Sequence, residues 1–108
     1  MAFDESLADR IRDVLVARSN VSERKMFGGI AFMVAGNMAC GVIGDDLMVR
    51  LGPDAEKALE EPHTRPMDFT GKPMMTTVYV DPEGTGADEA LAQWVEAGAE
   101  FAASLPPK

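Results

Sequence analysis

A chain of 108 residues, 46% of them apolar, has room for one domain with a core that needs neither disulfides nor metals for its stability. Its formal charge of −8 withholds the positive field that phosphate contacts require, so direct binding to nucleic acid is not expected. The lone cysteine, Cys40, excludes an intramolecular disulfide and suits a reducing compartment.

The charge is unevenly spread. Residues 1–21 contribute −1, 22–51 contribute 0, 52–80 contribute −2 and 81–108 contribute −5. The last segment is therefore the acidic one, while Arg24, Lys25, Arg50, Arg65 and Lys72 sit in the middle. Met1 to Arg10 carries Asp4, Glu5 and Asp9 with no following apolar run, the pattern of neither a signal nor a transit peptide. No stretch reaches the roughly 20 apolar residues of a membrane helix. A cytoplasmic protein that does not enter the membrane is expected.

The first element is a helix over residues 4–18, with Asp4 or Ser6 as its cap. Leu7, Ile11, Val14 and Leu15 share one face, and Ser19-Asn20 ends it. Lys25 to Val34 reads as a strand bent or bulged at Gly28-Gly29. Ala35-Gly36-Asn37 connects it to a second strand, Met38–Ile43, and Gly44-Asp45-Asp46 turns into a third, Leu47–Leu51. Links this short demand antiparallel pairing. Leu47, Val49 and Leu51 face one way and Met48 and Arg50 the other.

Gly52-Pro53-Asp54 opens a short helix to about Glu60, since proline fits a first helical position. Pro66, Gly71 and Pro73 leave room for no more than an edge strand around Met67–Phe69. Thr76–Val80, β-branched and aromatic, is a clear strand. A final helix spans 87–104, with Leu91, Trp94, Val95, Phe101 and Ala102 on one stripe. Gly98 falls on that stripe, where it lowers helix propensity by about 1 kcal/mol and lets another backbone come close. The class is α+β, a single domain over 1–108 in the order α-βββ-α-ββ-α, with about five antiparallel strands.

No catalytic, cofactor-binding or metal-binding constellation emerges. Gly28-Gly29 opens onto a strand, whereas a phosphate loop opens onto a helix. Cys40 lacks an adjacent base, so it reads as a buried structural thiol. His63 has no Cys/His cluster to complete a metal site. Asp45-Asp46 belong to a turn and Asp54 to a helix start. Eight methionines are a high count. Methionine fills irregular cores and recurs on adaptable binding surfaces. Arg65 to Met74 alternates polar, apolar and rigid residues as functional loops often do.

Lys25-Met26-Phe27-Gly28-Gly29-Ile30-Ala31-Phe32-Met33, Gly41-Val42, Asp46-Leu47-Met48-Val49-Arg50 and Arg65-Pro66-Met67-Asp68-Phe69-Thr70-Gly71 together resemble the signature of the TfoX (Sxy) N-terminal domain. So does the closing run from Trp94 to Lys108. The resemblance implies a secretion-chaperone-like fold, an antiparallel sheet with helices packed on it, in a stand-alone member. It also implies kinship with bacterial competence regulators thought to act beside the cyclic-AMP receptor protein. Those proteins carry a second, helical domain that is not expected here, and no catalytic residues carry over.

The first reading is a non-enzymatic protein-interaction module, a transcriptional co-regulator working through a protein partner such as a transcription factor. Candidate interaction residues are Met33, Met48, Arg50, Arg65, Asp68, Phe69 and Lys72, with homodimerisation through the sheet face bearing Met33 and Met48. The alternative is a small-molecule binder or enzyme with a pocket near Arg50, Arg65 and Lys72. No cofactor is expected.

Overall fold

The computed structural model describes residues 3–26, 28–67 and 74–106. Helix α1 spans Glu5–Leu15. The Asp4 carboxylate accepts the backbone N–H groups of Ser6 and Leu7 at 2.9 and 3.2 Å, which satisfies two of the donors that every helix start leaves free. Leu7, Ile11 and Leu15 are buried, as their four-residue spacing dictates.

Six strands follow in one antiparallel sheet: β1 (Val21–Met26), β2 (Gly29–Val34), β3 (Asn37–Ile43), β4 (Asp46–Arg50), β5 (Thr64–Met67) and β6 (Met74–Val80). Their spatial order is β1-β2-β3-β4-β6-β5. Tight connections make β1 to β4 sequential neighbours. β6 then returns beside β4 and leaves β5 at the edge. The expected edge strand is thus earlier than its sequence placement, and its Asp68-Phe69 end lies outside the described residues.

Among the described residues the strand count is six, not five, because the stretch expected to form one bent strand is a hairpin. Met26 pairs with Gly29 across a turn in which Gly28 has φ 76°. β1 escapes a hydrophobic pattern because Ser22, Glu23, Arg24 and Lys25 are all exposed. Charged residues on an edge strand discourage pairing with other chains. The β2–β3 hairpin has Ala35 at φ 53° and Gly36 at φ 84°, the two positive values of a type I′ turn. Phe32 pairs with Cys40 and Met33 with Met38, so Ala39 is the extra residue of a bulge.

The inner sheet face carries Ile30, Phe32, Val34, Cys40, Val42, Leu47, Val49, Val78 and Val80 in one core with residues of α1 and of α3 (Asp88–Ser104). α3 lies close on the sheet. A Cβ added at Gly98 would stand 2.4 Å from the Ala39 carbonyl oxygen, the close backbone approach expected of that glycine. Arg18 pairs with Glu96 at 3.1 Å, and Arg10 donates to the Thr85 carbonyl at 2.7 Å, which ties α1 to the last helix. Buried Asn37 donates to the Pro106 carbonyl at 3.0 Å, anchoring the end of α3 to the hairpin.

Leu51 leads into a single 3₁₀ turn, Gly52–Asp54, and then α2 (Ala55–Ala58), so the short helix forms where Pro53 placed it. Among the described residues no helix is long and apolar enough to cross a membrane.

Candidate functional site

α3 has more apolar surface than the sheet can cover. Leu91, Val95, Gly98, Ala99 and Ala102 are buried against the sheet. A neighbouring stripe of Ala90, Trp94, Ala97 and Phe101 faces sideways and remains partly exposed. It forms one wall of an open cleft of about 920 Å³, with Gln93, Glu100 and Ser104 at its margin. Leu51 and the α2 segment add Asp54, Lys57, Ala58 and Glu61, and Pro62, His63, Glu83 and Gly84 complete the lining.

Two local features hold this shape. Gly52 has φ 62°, and a Cβ there would stand 2.2 Å from the Phe101 ring. Only glycine allows both that backbone conformation and that aromatic contact. His63 also takes a left-handed conformation, φ 67°, and its carbonyl accepts the Asp81 N–H at 2.8 Å. Such a conformation costs a non-glycine residue about 1–2 kcal/mol. The His63 Nδ1 lies 3.7 Å from a Glu83 carboxylate oxygen.

The cleft is apolar at its floor and acidic at its rim. Among the described residues that line it, Asp54, Glu61, Glu83 and Glu100 stand with one ammonium, Lys57. Trp94, the chain's only tryptophan, packs against the core from the floor.

The candidate residues are distributed differently. Met48 is 1% exposed and forms a small cluster with Tyr79 on the outer sheet face, with Met38 and Ile43 packed against it. Its Cε also fills the space beside Gly41, which lies opposite on β3, 2.8 Å from where a Cβ would stand. Met33 is half-buried on β2. Arg50 lies over the Phe101 ring at 5.4 Å. The Arg65 guanidinium lies 4.7 Å from the Tyr79 ring centroid and pairs with both Asp46 and Asp81. Its hydrogen bond to Asp46 raises it above its ordinary pKa, against the opposing effect of burial. It is committed to structure rather than free to receive an anion. Neither Arg50 nor Arg65 lines the cleft, and Asp68, Phe69 and Lys72 lie outside the described residues.

Cys40 is fully buried, and burial pushes its thiol up to about 12. Among the described residues no group of three or more His, Cys, Asp or Glu side chains could hold a metal ion.

The stripe of Leu91, Trp94, Val95, Phe101 and Ala102 does not by itself reveal the cleft: Trp94 packs against the core as expected, but it and Phe101 are only partly covered. The available signal was the width of the apolar arc. Ala90, Leu91, Trp94, Val95, Ala97, Ala99, Phe101 and Ala102 cover more of the helix than one sheet contact needs.

The model of the TfoX N-terminal domain family matches residues 13–102. The chain belongs to that family. Neither the curated proteins nor the solved structures offer a match.

Proposed function

We propose that this TfoX N-terminal domain protein is a non-enzymatic regulatory module that works by holding a protein partner in the cleft between α2 and α3. The observation that carries this reading is the exposed stripe of Ala90, Trp94, Ala97 and Phe101, which lines an open cleft of about 920 Å³. Apolar and aromatic surface left open to water, rimmed by charge, is the usual mark of an interaction site. A large aromatic such as Trp94 at the centre is the kind of residue that dominates binding energy. The family's link to competence regulators supports a transcriptional co-regulator acting through a transcription factor. The acidic rim agrees with a protein rather than a nucleic acid in the cleft.

The test is site-directed photo-crosslinking in the native cell. A crosslinking residue replaces Gln93, exposed at the cleft margin, or Asp13, exposed on α1. A discrete adduct is expected from position 93, absent from position 13, and lost when Ala97→Arg fills the cleft. Equal adducts from both positions, or none from position 93, would overturn the reading.

A further inference from the structure

Resting on the reading of the cleft as an interaction site, we infer that its occupant is a short, basic, amphipathic helix of another protein. The first observation is a repeat. Ala90, Ala97 and Ser104 are seven residues apart, as are Trp94 and Phe101, and all five line the cleft. Small and large side chains therefore alternate along α3 at the spacing of a helix–helix seam, the arrangement into which knobs from a second helix fit. The stripe from Ala90 to Ser104 runs about 21 Å at 1.5 Å per residue, enough for a partner helix of about 14 residues.

The second observation is charge. Among the described residues lining the cleft, Asp54 and Glu61 come from the α2 side, Glu100 from α3, and Glu83 stands beside His63, against the one ammonium of Lys57. A helix lying in the trough brings its flanking positions to both rims at once, so lysine or arginine there meets carboxylates on either side. The same charge disfavours a second copy of this chain as the occupant. Its own long helix carries Asp88, Glu89, Glu96 and Glu100 and no basic residue, and would set carboxylates against carboxylates.

The experiment uses the full chain and two synthetic peptides of about 14 residues with one leucine seam, flanked by lysine in one and by glutamate in the other. Trp94 reports directly, since its emission is the chain's only tryptophan signal. The lysine peptide is expected to change Trp94 emission saturably and to bind at least about ten-fold tighter than the glutamate peptide at low salt, less so at high salt. Exchanging the rim charges with the Glu61→Lys/Glu100→Lys pair should reverse that preference, and both positions are exposed, so the fold should survive. Circular dichroism melts verify that it does.

Equal binding of both peptides, or an unchanged preference in the charge-exchanged protein, overturns the basic partner. If Ala97→Arg abolishes both peptide responses in that case, the cleft remains the site and only the partner's charge was wrong. If neither peptide moves Trp94, the helical occupant is overturned, and the adduct from position 93 decides separately whether the cleft binds a protein at all.

Discussion

Gly98→Ala is expected to destabilise the protein although alanine is the better helix former. In an isolated helix the exchange would stabilise by about 1 kcal/mol. Here the added methyl would stand 2.4 Å from the Ala39 carbonyl oxygen, where ordinary contact begins near 3.4 Å, and 3.2 Å from a Val49 methyl. The helix or the strand must retreat by about 1 Å. The obstacle is backbone in the bulge of β3, inside a sheet paired on both sides, so it cannot rotate away as a side chain could. Overpacking of this kind costs about 1–3 kcal/mol, and rigid backbone argues for the upper end. The net loss is then about 2 kcal/mol, a fall in Tm of about 8 °C for a domain of this size. Thermal and urea unfolding followed by circular dichroism measure it. An unchanged or raised Tm would mean that α3 rests loosely on the sheet, and would undo the close-packing account of Gly98.

Ala35→Asn should raise the urea midpoint by the equivalent of about 0.5–1 kcal/mol with an unchanged m value, because Ala35 holds φ 53° in a type I′ turn that favours asparagine. Cys40 should resist a thiol reagent in the native protein at pH 8 and react fully once unfolded. Its folded pKa, pushed up to about 12 from 9.0, also predicts stability that declines as pH rises past about 9, a decline that Cys40→Ala should flatten in alkaline melts. Glu23 is lowered from its ordinary 4.5 chiefly by its hydrogen bond to Arg12 at 2.7 Å. Glu23→Gln should therefore destabilise at pH 7, by about 0.5 kcal/mol for a pair this exposed. That difference should shrink as pH falls below 4.5 towards the lowered folded value, which paired titration melts of the two proteins would show.

What the sequence made legible were features written locally. Asp4 caps α1 because a carboxylate at that position has two free N–H groups within reach. Pro53 starts a helix, and Thr76–Val80 forms a strand because its β-branched run suits a pleat. β1 was illegible on the same grounds, since an edge strand with four successive polar residues has no apolar face to announce it. Pairing also hid the fate of two candidate residues. Met48 is buried among Tyr79, Met38 and Ile43 and reaches Gly41 across the β3–β4 hairpin, and Arg65 is occupied because strand pairing brings it beside Tyr79 of β6, Asp81 just beyond that strand and Asp46 of β4.

The cleft belongs to a third kind of feature, a surplus visible in sequence but interpretable only in the fold. Each apolar side chain kept in water forgoes about 1.5–3 kcal/mol available from burial, a large share of a small domain's total stability. Trp94 and Phe101 are both partly exposed on α3 while Leu91 and Val95, one position along from Ala90 and Trp94, are fully covered. The fully buried contact with the sheet is made by Leu91, Val95, Gly98, Ala99 and Ala102, while Trp94 packs against the core with only part of its surface and Phe101 meets Gly52 and Arg50. The exposed remainder of the aromatic stripe is therefore surface that the core leaves uncovered, and a partner helix of the kind proposed would recover its burial.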